Sequence, residues 1–261
     1  MKPANLEKIE RSFEIQAQNF ESKEVNFTKE EYLNDTISCV APDRQDIVLE
    51  VAAGTCVCGR SFAPLVQAVV CLDATLPMLE TGKEKADGSH LNNMVFVKGY
   101  AEEMPFLNES FDIVFSRLAF HHFTDADAVF AEMARVLRPG GKLVLIDMEA
   151  AGEELRDMED EIETLRDPSH IRNMSKTEML GLFAAHNLSV KKCHKKHIRQ
   201  KLKSWLALTN TPEDVQDEIT ERMKREMSGG EKTGFSPYME NGEICFNQRW
   251  ISIVGRKRRR R

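Results

Sequence analysis

IVLEVAAGTCVCGR, residues 47–60, opens as a short, mostly apolar run and then breaks into a turn of small residues. The run has the pattern of a strand buried on both faces. The turn that leaves it is of the kind that brings backbone N–H groups and a helix N-terminus up to a ligand. Gly54 marks the position where a side chain would block that approach. Two cysteines, Cys56 and Cys58, stand where glycine or an aliphatic residue is expected. Taken alone, the stretch reads as a cofactor turn, as half of a metal or redox site, or as a turn kept small for packing.

Outward from it, the chain alternates two kinds of segment. Helix-like residues 57–68 lead to a second buried run, VVCLDA (69–74). A helix is expected over 76–86, ending before Gly88, followed by a third strand, MVFVKG (94–99), and a fourth, FDIVFSRL (111–118). Thr124 to Leu137 is amphipathic, with Val129, Phe130, Met133, Val136 and Leu137 on one side. Arg138, Pro139 and the Gly140-Gly141 pair are expected to end that helix before a fifth strand, KLVLIDM (142–148). This spacing predicts βαβ units, hence a parallel sheet with helices on both faces and right-handed crossovers. Ligands of such sheets sit at the carboxyl ends of the strands, and that rule selects the residues to read for function.

Before the first strand, residues 3–20 are expected to be helical, with Ile9, Phe13, Ala17 and Phe20 on one face. A second helix over 28–39 is opened by a Thr28/Glu31 capping-box pattern. After residue 148 the pattern changes. Residues 149–167 hold nine acidic side chains and read as a solvated helix or linker. Ser175 and Glu178 form another capping box, for a helix to about His186. LSVKKCHKKHIRQ (188–200) suggests a sixth strand, 201–240 is helical and loop-like, and EICFNQRWISIVGRK (243–257) is a final strand.

With 261 residues, 41% of them apolar, the chain can build one sizeable core, or one core with a cap. No run approaches the roughly 20 apolar residues of a membrane span, and MKPANLEKIERSFEIQ lacks the apolar segment of a secretory signal. Six cysteines without disulfide-framework spacing read as reduced thiols, and a cytoplasmic protein is expected. The net charge of -6 is unevenly spread: the last six residues are all basic, so residues 1–255 carry 30 basic and 42 acidic groups, or -12. An acidic body argues against nucleic acid as the main partner, and the basic end reads as a disordered tail. Residues 191–203, with seven basic side chains, read as a solvated edge strand and helix start. Cys56-x-Cys58 has no second pair at ligand spacing and Cys193-His194-x-x-His197 sits among lysines, so no metal site is expected.

The strand ends carry the functional candidates. Glu50 and the Gly54-Thr55 turn follow the first strand. Asp73 ends the second strand, 23 residues beyond Glu50. That is close to the spacing of a carboxylate that accepts from two adjacent ribose hydroxyls, although a helix N-cap would also use an acid there. GYAEEMPF (99–106) follows strand three, SRLAFHHF (116–123) follows strand four, and RVLRPGGKLVLID (135–147) leads into and through strand five.

In that order, VLEVAAGT, LDATLPML, GYAEEMPFLNESFDIVFSRLAFHHF and RVLRPGGKLVLID resemble the class I S-adenosylmethionine-dependent methyltransferases. The resemblance is to the ubiquinone/menaquinone-biosynthesis type, the methyltransferase type 11 family, and it covers roughly residues 45–148. It implies a doubly wound, mostly parallel seven-stranded Rossmann-like sheet with helices on both faces, a last strand antiparallel to its neighbours, and a helical lid. It also implies S-adenosyl-L-methionine as cofactor and methyl transfer to a small organic acceptor. The matching positions would place Glu50, Ala53 and Gly54 along the methionine part, Thr55 beside them at the cofactor, and Asp73 on the ribose hydroxyls. Thr75 and Met78 would border ribose and adenine, and Gly99, Tyr100, Ala101 and Glu102 would meet the adenine edge, Ala101 through its N–H. Ser116 and Arg117 would lie under the methionine moiety, and the segment to His122 would face cofactor and acceptor.

Three positions depart from the family pattern. Ala52 and Cys56 stand where glycine is usual, and Tyr100 stands where an acid for adenine's amino group is common. Tyr100 could stack instead, or Glu102 could substitute. His121 and His122 are the candidate general bases, needed only if the acceptor atom is protonated at neutral pH. Two other readings share the pattern: a protein that binds the cofactor or its product without turnover, and a nicotinamide-dependent oxidoreductase on a similar fold. The expected organisation is a helical cap (1–40), a cofactor-binding core (41–150), the rest of the sheet with helical lid insertions (151–257) and a basic tail (258–261).

Overall fold

The computed structural model describes residues 5–16, 21 and 28–259. Two helices, α1 (Leu6–Gln16) and α2 (Glu30–Val40), precede β1 (Ile47–Val51). Then come α3 (Val57–Phe62), β2 (Ala68–Asp73), α4 (Leu76–Gly88), β3 (Met94–Lys98), β4 (Phe111–Arg117), α5 (Ala126–Val136) and β5 (Leu137–Met148). The second half holds α6 (Arg156–Arg166), α7 (Lys176–Ala185), β6 (Leu188–Lys201), α8 (Leu202–Leu208), α9 (Glu213–Met227), β7 (Tyr238–Glu240) and β8 (Glu243–Lys257). Ala17 and Phe20, expected on the face of the first helix, lie outside the described residues.

The sheet order is β3-β2-β1-β4-β5-β8-β6. Neighbours among β1 to β5 pair in parallel, while β8 runs antiparallel to β5 and β6, as expected of the final strand. Short β7 forms a hairpin with β8 and is an eighth strand beyond the seven expected. The chain leaves β1 toward β2 on one side, while β4 pairs on the other. This divergence opens a crevice at the carboxyl ends of the strands.

Several boundaries shift for local reasons. Pro64 lacks an N–H, so α3 gives way to a 3-10 turn over Ala63–Leu65 instead of running to residue 68. Asp125 caps α5 by accepting from the Ala128 N–H at 2.9 Å, so that helix starts at Ala126 and not Thr124. Arg138-Pro139-Gly140-Gly141 is not a break but the start of β5. The irregularity is absorbed by a register shift against Phe111 and Ile113, with Arg138 Nη1 donating to both Asp112 oxygens at 2.9 Å. Helix α2 begins at Glu30, with Lys29 and not Thr28 at its N-cap, and Lys29 makes no side-chain capping bond. The Ser175/Glu178 box does form, with both reciprocal bonds present.

Apolar side chains pack on both faces of the sheet, one layer with α5 and α7 and the other with α2, α3 and α4. A separate cluster joins Ile162, Leu202, Trp205, Ile219, Met223, Phe235 and Phe246. It is this cluster that overturns the solvated reading of 149–167. Helix α6 buries Glu159, Ile162, Glu163 and Arg166 on one side, because the apolar residues recur at helical spacing among the acids. The basic stretch is edge strand β6, mostly exposed, with ion pairs such as Lys195 to Glu149 at 2.6 Å. Arg256 and Lys257 belong to β8 and not to a tail, and the Lys257 ammonium donates to the carbonyls of Ala134 and Leu137. Among the described residues no helix is long and apolar enough to cross a membrane.

Candidate active site

The turn after β1 is wound tightly. Ala52, Gly54 and Cys56 all adopt left-handed backbone conformations, with φ of 54°, 54° and 56°. Glycine takes that region freely, whereas an L side chain there costs about 1–2 kcal/mol. The two departures from glycine therefore hold strain at the mouth of the site. Cys56 is fully buried, so removing its side chain would also open a void, but Ala52 is only half-buried. Ala52→Gly is expected to raise the unfolding free energy by about 0.5–1 kcal/mol, the relieved strain less the added chain entropy. A denaturant titration checks this, and a loss of stability would contradict it.

Two carboxylates bracket the turn. Asp73, at the end of β2, accepts from the Gly54 N–H at 2.7 Å through one oxygen and from the Thr75 N–H at 2.8 Å through the other. It therefore serves both readings: it helps open α4 and it ties the β1 turn to β2. Glu50 is 4% exposed and accepts from the Gly59 N–H at 2.8 Å. Burial pushes its carboxyl up to about 8, against the opposing pull of the Gly59 N–H and the Arg117 charge. A carboxyl with a folded pKa above its unfolded value of 4.5 holds more protons in the folded state between those two values. Stability should therefore fall as pH rises from about 5 to 8. Glu50→Gln removes the titrating group and should flatten that slope, stabilising the ligand-free protein by a few kcal/mol at pH 8, at about 1.4 kcal/mol per pKa unit. Thermal midpoints of both proteins across this range test it; parallel curves would contradict it.

On the other side of the crevice, Leu118 (φ 55°) turns the chain out of β4 and into a 3-10 turn over Phe120–His122. Asp147, at the end of β5 and 1% exposed, organises this turn. Its carboxylate accepts from the N–H groups of Ala119 (3.1 Å), Phe120 (2.6 Å) and Met148 (2.7 Å) and from His121 Nδ1 (2.6 Å). A carboxylate partner fixes a proton on His121 Nδ1 and leaves Nε2 as the free nitrogen. Burial would lower the His121 pKa, but the Asp147 charge and hydrogen bond override it and raise it above 6.5.

His122 is treated differently. Its ring lies 4.1 Å from that of His121, its Nδ1 meets Ser169 Oγ at 3.1 Å, and Phe13 packs edge-on against it. Burial, and then the neighbouring His121 charge, push its pKa down to about 3, so it stays neutral. A third imidazole, His170, sits 5.7 Å from His121 and is held through Nε2 by Asp160 at 2.8 Å.

Glu50, Asp73 and the three imidazoles line one cavity of about 170 Å3. Of the residues expected at the cofactor, Glu50, Ala53, Gly54, Asp73, Thr75, Met78, Gly99, Tyr100, Ala101, Glu102 and Arg117 line it, and so do His121 and His122. Thr55 and Ser116 do not; both are fully buried, Ser116 because successive strand residues face opposite sides. The lid side is lined by residues with no sequence expectation: Gln16, Glu163, Arg166, Asp167, His170, Gln200, Trp205, Gln248 and Trp250. Asp147 was also missed, though its place at the end of the fifth strand is a signal the strand-end rule could have used.

Comparison with known proteins bears on this geometry directly. The methyltransferase domain family matches residues 49–145. The methyltransferase YcgJ of Bacillus subtilis, itself uncharacterized, is 33% identical over 225 residues, which is 85% of this chain and 88% of YcgJ. The chain belongs to the class I S-adenosylmethionine-dependent methyltransferases. The YcgJ crystal structure superposes with a TM-score of 0.80 at 29% identity, over 89% of this chain and 100% of YcgJ. The ubiquinone/menaquinone biosynthesis C-methyltransferase UbiE of Hahella chejuensis is 38% identical over 104 residues, 38% of this chain and 42% of UbiE. Phosphoethanolamine N-methyltransferase 2 of Haemonchus contortus, solved with S-adenosyl-L-methionine, shares the fold at 16% identity, with a TM-score of 0.61 over 88% of this chain and 53% of that one. In this methyltransferase the family match ends before Asp147, so α6, α8 and the lid wall of the cavity lie outside it.

Proposed function

We propose that this methyltransferase moves the methyl group of S-adenosylmethionine to a small organic acceptor whose proton is taken by His121. The observation that carries the reading is a single cavity with a carboxylate-tied turn at one end and the Asp147-held imidazole at the other.

The residues present suit the cofactor. Asp73 accepts from the Gly54 N–H through one oxygen and the Thr75 N–H through the other, and a carboxylate with two oxygens can also accept from two adjacent ribose hydroxyls. Glu102 Oε1 is buried without a hydrogen-bond partner among the described residues and suits the amino group of adenine, a role that Tyr100 vacates. The Ala101 N–H would meet the adenine edge, Thr75 and Met78 would border the nucleoside, and Glu50 with Arg117 would lie along the methionine part. When bound, the cofactor supplies a methyl carbon already made electrophilic by its sulfonium, so placing the acceptor in line with it supplies much of the acceleration. The protein adds a base where the acceptor proton must leave, and α1, α6 and α8 close the site against water.

The test is transfer of labelled methyl from S-adenosylmethionine into the small-molecule fraction of a cell extract. Label in one or a few metabolites, absent without enzyme, is expected. Cofactor binding with no label in any fraction would contradict turnover.

A further inference from the structure

Arg166 is held in an unusual way at the end of α6. Its Nε donates to the Trp205 carbonyl at 3.1 Å and its Nη1 to Glu163 Oε2 at 3.0 Å, while its guanidinium lies 4.4 Å from the centre of the Trp205 ring. Its side chain is 10% exposed and lines the lid half of the cavity. A guanidinium carries five N–H donors in a fixed fork. Here Nη2 meets no hydrogen-bond partner among the described residues, on a side chain that lines the cavity. Nε, Nη1 and the stacked ring fix the plane of the fork, so Nη2 is a rigid donor prepared for an oxygen.

Charge narrows which oxygen. Glu163 neutralises Arg166, and Asp147 neutralises a protonated His121. Asp167 remains as a further carboxylate, kept charged by hydrogen bonds from Ser12, Gln16 and Ser169. An anionic ligand would meet that surplus negative charge. A neutral carbonyl oxygen would not, yet it fully satisfies the guanidinium.

We infer that Arg166 Nη2 binds the methyl acceptor through a carbonyl oxygen, and that the acceptor is an uncharged carbonyl compound presenting its reacting O–H or N–H to His121. The assignment rests on the methyl-transfer reading for the role of His121, while the carbonyl preference stands on Arg166 and its neighbours.

The experiment ranks four para-substituted phenols against the full chain by ligand-observed NMR, with and without S-adenosylhomocysteine. They are para-hydroxyacetophenone (ketone), para-hydroxybenzoate (carboxylate), tyramine (ammonium) and para-ethylphenol (no polar substituent). The ketone is expected to bind about tenfold or more tighter than para-ethylphenol, the value of a hydrogen bond to a charged donor. Arg166→Gln should erase that advantage while S-adenosylhomocysteine still binds within about twofold, which also shows that the variant is folded. Arg166→Lys should recover only part of it, having the charge without the fork. Tighter binding of the carboxylate or of tyramine, no binding of the ketone, or an advantage that survives Arg166→Gln would overturn the proposal. Failure of the wild-type chain to bind S-adenosylhomocysteine would fell the cofactor reading and leave the ranking of the four phenols as its own result.

Discussion

His121→Gln is expected to lower kcat about 100-fold to 10,000-fold on the acceptor identified by label transfer, the usual contribution of a positioned general base. Affinity for S-adenosylhomocysteine should stay within about twofold, because the imidazole stands across the cavity from Asp73 and the β1 turn. The physical basis is the 2.6 Å bond from Nδ1 to Asp147, which holds both the ring plane and the tautomer. Asp147 is itself fixed by three backbone N–H groups. His122 cannot stand in. It is neutral at every working pH, bonded to Ser169 and packed against Phe13, while its backbone carbonyl receives the Asn5 amide.

The pH profile separates a base from a merely structural histidine. Only the deprotonated imidazole accepts a proton, and Asp147 raises the His121 pKa above 6.5. The kcat of the wild-type enzyme should therefore fall on the acid side of a midpoint above 6.5, and His121→Gln should lose that limb. The sign for stability is the opposite. The ion pair stabilises fully below the unfolded pKa of 6.5, and its contribution fades as pH rises through the higher folded value. An identical acid limb in the variant would contradict the assignment.

Asp73→Ala is expected to weaken S-adenosylhomocysteine about 100-fold to 10,000-fold, from two lost hydrogen bonds to a charged group at about 1.5–3 kcal/mol each. The turn also loses its tie, since the Gly54 and Thr75 N–H groups no longer share one carboxylate. Asp73→Asn keeps one acceptor oxygen and should fall between the two. Calorimetric titration of the three proteins reads this order. Equal affinities would remove Asp73 from the nucleoside site.

How much of this was legible beforehand depends on the range of the interactions. IVLEVAAGT, VVCLDA and FDIVFSRL announce buried strands because a strand covered on both faces must be apolar almost throughout. The positions of Asp73, Glu102 and His121 at strand ends follow from the same rule. The lid was illegible for a related reason. Helix α6 owes its burial to Trp205, Ile219 and Phe246, residues far along the chain, so its nine-acid neighbourhood looked solvated. Arg166 and Glu163 pair three residues apart on one helix, which local reading scores as a surface ion pair; only packing against α8 makes it buried. The strain at Ala52 and Cys56 was visible as a departure from glycine, but the backbone angles show that the turn keeps its left-handed shape despite the side chains.

The central claim, that the crevice between β1 and β4 binds S-adenosylmethionine, is tested most directly by isothermal titration of the full chain with S-adenosylhomocysteine. Saturable one-to-one binding is expected, with no heat from NAD over the same range. No detectable binding at high micromolar S-adenosylhomocysteine, or binding of NAD in its place, would contradict the account.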